Sequence, residues 1–425
     1  MVVGAGICGL VIANELLKTG KKVLVLEARD RVGGRIQTET DKFSVPVDTG
    51  AEFIHGDLPL TKSLLMEAGI VSDYRKGKIY KSQNKTIFEI NNFIEDFEPV
   101  LNELNKLTKD VSLSEFLSGT KINKDVKTSV INFAEGFDAA DPEKISSFSI
   151  RNEWNEQDHD SIMQIKEGHG KLIKYLLENC INRGCNVLLS SEIIEVQWKN
   201  GFVKVTCADD HNFEAEKIIL TVPLGILTTK PGEKGHITFI PAIPQQIESA
   251  KKIGYGSVVK VILEFKTAFW LNKDFENETA YLPELDFLIC DNFFTTWWTH
   301  SNKEAGILIG WVGGPKAEIL RNKNEEEILS IAIASLAEAL KTTVDFLQKQ
   351  LINRSAYNWG ANPFTRGAYS YNTLESDLAK EILANPLEQT VYFSGEALST
   401  GESIGTVESA IESAMQTVEK VLLNV

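Results

Sequence analysis

Apolar runs and amphipathic stretches alternate in the first thirty residues of the chain. Residues 2–3 have the apolar character of a strand end, and residues 10–18 repeat apolar positions with a helical period. Gly20 marks the end of that helix, and residues 23–26 form the short continuous apolar run of a buried parallel strand. The pattern predicts a β-α-β unit whose first strand is clipped or begins upstream of Met1.

The same two periods recur later in the chain. Residues 168–170 open an amphipathic helix, and strands are predicted at 193–198 and 202–207, joined by a tight Asn-Gly turn. A further strand is predicted at 217–222. Near the C-terminus, a strand over 391–393 is followed by a helix that opens at Gly405 and Thr406.

Two long intervals have a different character. Residues 60–165 are polar and read as mostly helical, with turns near 141–142 and 158–160. In the second interval, residues 226–355, a helix is predicted over about 325–340. It begins with Asn324 and Glu327 at the spacing of an N-cap and its reciprocal acid.

A glycine motif lies between the first predicted strand and helix. Residues 4–9 read Gly-Ala-Gly-Ile-Cys-Gly, which fits G-x-G-x-x-G, and Glu27 ends the next strand. These glycines allow a pyrophosphate to approach the helix N-terminus, and the acid is placed for a ribose hydroxyl. The pattern predicts a dinucleotide site; the alternative is a glycine-rich turn without a ligand.

A second glycine pair follows directly, in residues 27–35, which read Glu-Ala-Arg-Asp-Arg-Val-Gly-Gly-Arg. Arginine guanidinium groups suit bidentate contact with phosphate. A nicotinamide site does not need this element. Here the chain resembles the flavin-containing amine oxidase family, which includes monoamine oxidases, polyamine oxidases and lysine-specific histone demethylases.

The resemblance continues through most of the chain and implies an FAD site. Residues 48–56 resemble another FAD-lining segment, and their Ile-His-Gly ending is most like polyamine oxidases. In this segment the resemblance implies mainly a backbone role for Glu52. The cofactor-binding residues it implies are Gly4, Ala5, Gly6, Gly9, Glu27, Ala28, Arg29, Gly33, Gly34, Arg35, Glu52, Phe53, Ile193, Gly395, Glu396, Thr406 and Val407.

Four catalytic candidates come from the same resemblance. Lys260, at the head of an apolar strand, matches the family lysine that holds a water at flavin N5; read without the resemblance, it is an edge-strand charge or a snorkelling side chain. Trp359 and Tyr369 match aromatic walls beside the flavin, or else pack in the core. His55 either accepts a proton from the amine or is a structural hydrogen bonder.

Two positions separate this chain from monoamine oxidases. Ala368 stands where those enzymes carry a cysteine bonded to the flavin, so FAD is expected to be non-covalent. Thr406 stands where they have a second tyrosine, so a two-aromatic cage is not expected. His300 and Trp298, with its neighbour Trp297, are candidates for a substrate tunnel, but core packing is the expectation for both tryptophans.

The expected fold is α/β, with a Rossmann-like FAD-binding domain of the glutathione-reductase type interleaved with an α+β substrate-binding domain. The FAD-binding domain is assigned residues 1–59, 166–225 and 356–425. The substrate-binding domain is assigned residues 60–165 and 226–355.

Composition and charge indicate which classes of binding partner the chain favours. The chain has 425 residues, with 44 basic and 59 acidic side chains, and a formal charge of −15. At about 100–200 residues per domain this length fits two or three domains. The acidic balance argues against nucleic acid as a partner and leaves solubility, or attraction of cationic ligands, as its use.

Cysteine usage, apolar runs and the N-terminal residues bear on the cell compartment. The five cysteines form no CxxC pair and are expected to be reduced thiols, and no zinc spacing is present, so no metal is expected. No run approaches the ~18–20 apolar residues of a membrane span, and no secretory signal is visible. A cytoplasmic protein with no membrane partner is expected, as a monomer or a homodimer.

The expected activity is FAD-dependent oxidation of a small cationic amine, with a polyamine as the expected substrate. O2 is the expected acceptor, and hydrogen peroxide, an aldehyde and a shorter amine are the expected products. Monoamine or L-amino-acid oxidation is the alternative, although residues 51–56 lack an arginine for a substrate carboxylate. An alternative of another class is a demethylase-like flavoprotein that acts through partner binding.

Overall fold

The structure is a computed structural model that describes residues 1–94, 97–156, 161–401 and 403–423. Its strands, numbered in chain order, are β1 (Val2–Val3), β2 (Leu24–Leu26), β3 (Thr38–Glu39), β4 (Val47–Asp48), β5 (Ile54–His55), β6 (Ser72–Tyr74), β7 (Lys78–Gln83), β8 (Thr86–Ile90), β9 (Ile162–Ile165), β10 (Asn186–Leu188), β11 (Ile193–Lys199), β12 (Phe202–Cys207), β13 (Asn212–Ala215), β14 (Ile218–Leu220), β15 (Thr238–Ile240), β16 (Gly254–Gly256), β17 (Val258–Phe265), β18 (Leu285–Cys290), β19 (Thr296–Thr299), β20 (Ile307–Gly313), β21 (Leu351–Asn358), β22 (Tyr369–Tyr371) and β23 (Val391–Phe393).

The α-helices are numbered in the same way: α1 (Ile7–Lys18), α2 (Pro59–Glu67), α3 (Glu98–Asn105), α4 (Leu113–Gly119), α5 (Lys124–Gly136), α6 (Ser147–Glu156), α7 (Gly170–Asn182), α8 (Leu224–Leu227), α9 (Pro244–Ala250), α10 (Gly314–Ile319), α11 (Glu325–Ala339), α12 (Val344–Gln350), α13 (Ser376–Ala384) and α14 (Val407–Leu423). None of the described helices is long and apolar enough to cross a membrane.

A five-stranded parallel sheet in the order β10-β2-β1-β14-β23 forms one centre of the fold. Its side chains alternate between two faces, as the period of a strand requires. Val2 and Val25 pack in the cluster formed with α1, α7 and α14. Val3 and Leu26 pack on the other face, against the four-stranded sheet β13-β12-β11-β15. The predicted β-α-β unit at the N-terminus is confirmed.

A seven-stranded sheet in the order β21-β17-β20-β19-β18-β7-β8 forms the second centre. Val259 and Val261 of β17 face the cluster formed with α11 and α12. Lys260 and Ile262 therefore face the other side, where Ile262 packs with Trp298. Because β17 lies between β20 and β21, Lys260 is on an interior strand, and the edge-strand interpretation of this lysine is wrong.

The prediction that residues 60–165 are mostly helical is wrong in part. Strands β6 to β9 lie in this interval, and β7 and β8 form an edge hairpin of the seven-stranded sheet. The hairpin is largely polar, as exposed sheet edges commonly are, so it lacks the apolar run that marks a buried strand. Its turn residues Asn84 and Lys85 adopt left-handed conformations. The predicted turn at 158–160 lies outside the described residues.

Other local predictions are confirmed. Helix α11 begins with the predicted capping box, in which the Asn324 side chain accepts from the Glu327 N–H and the Glu327 carboxylate accepts from the Asn324 N–H. The five cysteines are all buried and free.

The predicted domain boundaries are a separate matter. Those at 59/60, 225/226 and 355/356 each fall inside an element, namely α2, α8 and β21.

Candidate functional site

One cavity of about 1050 Å3 lies at the carboxyl ends of the parallel strands. Gly4 follows β1, Glu27 follows β2, Thr221 follows β14 and Gly395 follows β23, and all four line the cavity. This is the edge at which open α/β sheets bind their ligands. Residues of the seven-stranded sheet, including Lys260, form another wall, so the two sheets share one cavity.

The structure brings nearly all the predicted site residues together. Those that line the cavity are Gly4, Gly6, Glu27, Ala28, Arg29, Gly33, Gly34, Arg35, Glu52, Phe53, His55, Ile193, Lys260, Trp359, Tyr369, Gly395, Glu396, Thr406 and Val407. Ala5 and Gly9 do not line the cavity, and both act on the shape of the glycine loop instead.

The glycine loop fits a pyrophosphate. A Cβ on Gly9 would lie 2.0 Å from the carbonyl oxygen of Gly4, so only glycine lets α1 pack this closely on β1. Gly6 is the N-cap of α1 and has no side-chain cap, and a Cβ there would meet nothing within 4 Å. The first N–H groups of a twelve-residue helix therefore face the cavity, which suits an anion.

Glu27 closes this loop from the end of β2. Its Oε2 accepts the N–H of Ala5 at 2.8 Å, and its Oε1 accepts the N–H of Arg29 at 3.0 Å. The side chain is buried. Because each carboxylate oxygen has a second lone-pair position, Glu27 can still accept a hydrogen bond from a ribose hydroxyl.

Arg35 and Glu396 join two distant segments of the chain at the cavity wall. Arg35 Nη1 lies 2.7 Å from Glu396 Oε1 and donates to the Ala368 carbonyl at 2.6 Å. Glu396 Oε2 accepts from the Ser370 hydroxyl at 2.6 Å. An ion pair between these two predicted cofactor residues was not anticipated from the sequence.

The ammonium of Lys260 is fully enclosed. Its Nζ donates to Glu52 Oε2 at 2.5 Å and to the carbonyl oxygen of Asp48 at 2.5 Å, with the Gly50 carbonyl at 3.3 Å. It also lies 5.5 Å from the ring centroid of Trp298. A buried cation is held here by one carboxylate and by backbone dipoles.

Glu52 has a larger part in the site than its expected backbone role. Its Oε1 accepts from Gln164 Nε2 at 2.9 Å and from Trp298 Nε1 at 3.1 Å, while its Oε2 holds Lys260. The expectation of a mainly backbone role is corrected for this reason. Trp298, expected to pack in the core, lines the cavity, whereas Trp297 is fully buried.

Behind Glu52 a chain of polar contacts continues through the protein. Gln164 Oε1 accepts from Arg75 Nη1 at 2.6 Å, Arg75 pairs with Asp286, and Asp286 accepts from Lys303 at 2.7 Å. Burial lowers the pKa of Lys303. No sequence motif predicted this chain of polar contacts, because the residues that form it come from separate segments of the chain.

Two aromatic side chains form a stacked wall. The ring centroids of Trp311 and Tyr369 are 6.5 Å apart with an interplanar angle of 21°. The Tyr369 hydroxyl donates to the Phe137 carbonyl at 2.6 Å, and Trp311 Nε1 donates to the Gly136 carbonyl at 2.6 Å. Burial, with the nearby carboxyls of the site, raises the pKa of Tyr369 well above its usual value. Trp311 was not predicted; it is the partner of Lys260 across β17 and β20.

Trp359 and His55 occupy other parts of the wall. Trp359 Nε1 donates to the Thr49 carbonyl at 3.0 Å. His55 lies edge-on to Phe53 at 5.7 Å and to Phe137 at 5.1 Å between ring centroids. His300, considered for a tunnel, does not line the cavity; its Nε2 lies 3.1 Å from the Pro46 carbonyl.

The N-terminus of α14 completes the cavity wall beside Tyr369. Thr406 Oγ1 accepts from the Ser409 N–H at 3.2 Å, and Ser409 Oγ accepts from the Thr406 N–H at 3.1 Å. Gly405 has φ of +72°, and a Cβ there would lie 3.0 Å from the Tyr369 ring. The positive end of the α14 dipole therefore lies at the cavity.

A family model described as flavin containing amine oxidoreductase matches residues 7–422. The chain belongs to this family. It is therefore a flavin-dependent amine oxidoreductase, and FAD is its cofactor.

Individual relatives are more distant. The chain is 25% identical to polyamine oxidase 3 of Oryza sativa subsp. japonica, over all of this chain and 89% of that protein. It is 26% identical to human lysine-specific histone demethylase 2, over 93% of this chain and half of that protein.

Solved structures share the fold at low identity. A wild-type putrescine oxidase with putrescine bound superposes with a TM-score of 0.81 at 20% identity, covering 99% of this chain and 98% of that chain. Cyclohexylamine oxidase from Brevibacterium oxydans IH-35A superposes with a TM-score of 0.80 at 17% identity, covering 100% and 98%. The α/β fold is that of these flavin amine oxidase structures.

Proposed function

We propose that the chain is an FAD-dependent amine oxidase that uses O2 as acceptor and a polyamine, such as spermine, spermidine or an acetylated form, as substrate. The rice relative is a polyamine oxidase, and a structural neighbour is a putrescine oxidase. The formal charge of −15 also suits a polycationic substrate.

One observation carries the proposal. A single cavity is lined both by the glycine loop at the α1 N-terminus and by the buried ammonium of Lys260 with the stacked Tyr369 and Trp311. A nucleotide-binding edge and an aromatic-walled chamber that holds a buried lysine–glutamate ion pair are the two parts that support amine oxidation with a flavin.

The proposal assigns the FAD to the first of these parts without a covalent bond. The glycine loop, Glu27 and the N-terminus of α14 would hold it, and Ala368 has no sulfur with which to bond it. We assign the parallel sheet and its helices to a glutathione-reductase-type FAD-binding domain. The seven-stranded sheet is assigned to the substrate-binding domain, and the boundary near residue 356 is moved past Asn358, the end of β21.

FAD, when bound, would supply the two-electron acceptor for the hydride of the amine α-carbon; the imine would then hydrolyse, and O2 would be reduced to hydrogen peroxide. The amine must be unprotonated, because its lone pair supports hydride departure. His55 is assigned to accept or relay the amine proton, and Tyr369 with Trp311 to guide the amine. Lys260 is assigned to stabilise the negative charge that develops on oxygen. Its three N–H groups already have protein acceptors, so we assign it no part in orienting the water for imine hydrolysis.

The direct test is a peroxide-coupled assay of the yellow purified protein. Putrescine, spermidine, spermine, acetylated polyamines, tyramine and several amino acids are compared at matched concentration. The proposal expects peroxide from at least one polyamine, with kcat/KM above that for tyramine and for the amino acids.

Other outcomes identify the alternatives. If peroxide forms only with tyramine or only with amino acids, the polyamine assignment is wrong, but the assignment as an FAD-dependent oxidase stands. A stable protein partner with no peroxide from any amine contradicts the oxidase itself and favours a partner-binding flavoprotein.

A further inference from the structure

The water that hydrolyses the imine has no partner yet in the proposed reaction. Lys260 cannot hold it, because its three N–H groups already donate to protein acceptors. Glu52 is one of these acceptors: its Oε2 lies 2.5 Å from Lys260 Nζ, and the residue lines the same cavity. Glu52 is therefore the first candidate to bind this water.

Glu52 has one acceptor position that no protein group fills. An ionised carboxylate has about four lone-pair positions, two on each oxygen. Oε1 uses both of its positions, since it accepts from Gln164 Nε2 at 2.9 Å and from Trp298 Nε1 at 3.1 Å. Among the residues that the structure describes, Oε2 accepts only from Lys260. The fourth position, on Oε2, can accept a hydrogen bond from water.

The carboxylate of Glu52 is held in one orientation by the groups behind it. Gln164 presents its amide NH2 group to Glu52, because its own Oε1 accepts from Arg75 Nη1 at 2.6 Å. Arg75 is fixed in turn by Asp286 and by the carbonyl of Thr299. A side chain locked by such partners keeps a bound water in one place, as an oriented reaction requires.

Other acidic groups on the cavity wall have other partners. Asp138 and Glu153 interact with each other, and Glu396 is paired with an arginine. Within the described part of the chain, Glu52 is the acidic side chain that is paired with Lys260. The family resemblance places Lys260 at flavin N5, so a water on Glu52 would lie near the carbon that gives up the hydride.

We propose that Glu52 binds the hydrolytic water and acts as its general base. This assignment rests on the proposed amine oxidation, because it concerns the second step of the same reaction. Glu52 Oε2 accepts one O–H group of the water while the same oxygen keeps its bond to Lys260. The lysine and the glutamate of one ion pair thus have separate tasks, the first toward O2 and the second toward water.

The hydrolysis moves one proton to Glu52 and back. The water oxygen forms a bond to the carbon of the protonated imine as one water O–H bond breaks, and that proton passes to Glu52. The electron pair of the C=N bond moves to nitrogen. Glu52 then returns the proton to this nitrogen, the C–N bond breaks, and the remaining hydroxyl proton leaves with the amine. The products are an aldehyde and an ammonium ion, and Glu52 is again a carboxylate.

Rapid quenching into sodium borodeuteride tests this assignment. The holoenzyme, in excess, is mixed anaerobically with an amine that it oxidises and whose aldehyde cannot cyclise, and the mixture is quenched once the flavin is reduced. Borodeuteride converts the imine to a deuterated amine and the aldehyde to a deuterated alcohol, which mass spectrometry distinguishes. Both products are counted per flavin reduced, so a slower reduction does not alter their ratio.

The wild type should give mainly the deuterated alcohol at the end of flavin reduction. Glu52→Gln cannot take the proton, and loss of a general base slows a step by about 100-fold or more, so its alcohol-to-amine ratio should fall by at least about tenfold. Glu248→Gln is the matched control, because it breaks an exposed glutamate–lysine pair at 2.6 Å. It should keep the wild-type ratio.

A crystal structure of the wild-type holoenzyme is a second test that needs no variant. It should show an ordered water about 2.5–3.0 Å from Glu52 Oε2, the ordinary range for an O–H···O hydrogen bond. If Glu52→Gln does not fold, this measurement decides the matter. An ordered cavity without a water on Glu52 overturns the assignment.

The outcomes separate the role of Glu52 from the proposed function. If no amine reduces the flavin, both are overturned. If amines reduce it but Glu52→Gln and the wild type give the same alcohol-to-amine ratio, Glu52 is not the base and the oxidase stands. A ratio that falls equally in Glu248→Gln also overturns the role, because the loss is then not specific to the cavity.

Discussion

The ion pair between Glu52 and Lys260 gives the sharpest stability prediction. In Glu52→Gln the side-chain shape is kept and one oxygen of the carboxylate becomes an amide nitrogen. Glu52 Oε1 serves Gln164 and Trp298, so the new amide group faces the Lys260 ammonium, donor against donor. Lys260 is then left enclosed with only the carbonyls of Asp48 and Gly50 as acceptors.

The expected size follows from burial. Removing one partner of a buried ion pair costs about 3–5 kcal/mol, because the remaining charge is uncompensated. Unfolding entropy of about 2.1 cal/mol/K per residue amounts to roughly 0.9 kcal/mol/K for 425 residues, so Tm should fall by roughly 3–6 °C. Thermal melting followed by circular dichroism, at fixed FAD concentration, measures the shift.

Two further variants make the test specific. Glu248→Gln breaks an exposed pair with Lys251 at 2.6 Å, and it should change stability by less than about 0.5 kcal/mol. The double variant Glu52→Gln/Lys260→Met removes both charges and should be destabilised by less than the sum of the single variants. A Tm for Glu52→Gln within 1 °C of wild type, taking 1 °C as roughly 0.9 kcal/mol here, would refute the reasoning.

Four other predictions follow from the site. Lys260→Met should keep yellow FAD but slow stopped-flow reoxidation by O2; an unchanged rate removes Lys260 from this role. The rate of flavin reduction by amine should rise through roughly pH 8–9, because free amines have a pKa of about 10.4, and a flat profile from roughly pH 6 to 9 contradicts the need for a neutral amine. Acid precipitation should release all the FAD to the supernatant because Ala368 has no sulfur, whereas a yellow pellet indicates a covalent bond. Burial raises the pKa of Glu153 from 4.5 to about 7, so its contribution to stability is complete below pH 4.5 and is lost as the pH rises through 7. Between these two pH values, the free energy of urea unfolding of Glu153→Gln should therefore depend less on pH than that of the wild type. An equal pH dependence in the two proteins argues against the raised pKa.

Local patterns predicted the cofactor edge well. The glycine loop and Glu27 depend on a strand, a turn and a helix that are adjacent in the chain, and their spacing restricts the geometry. The capping box of α11 is of the same kind, since Asn324 and Glu327 are three residues apart. In such cases the residues that interact are also neighbours in the sequence.

The reaction chamber could be predicted only in part, because its partners are far apart in the chain. Lys260 was found through a family resemblance, but its carboxylate partner Glu52 lies 208 positions away, and no period links them. Asp138 and Glu153 meet only because α5 and α6 pack around the cavity. The edge hairpin β7–β8 was missed for another reason: it is polar, so it carries no hydrophobic signal.

Anaerobic titration of the yellow holoenzyme with polyamines tests the central claim most directly. If the chain is a polyamine-oxidising flavoenzyme, spermidine, spermine or putrescine will bleach the visible flavin absorbance, and admitting O2 will restore the colour with one hydrogen peroxide per flavin. A holoenzyme that stays oxidised with every polyamine, while dithionite still bleaches it, contradicts the account.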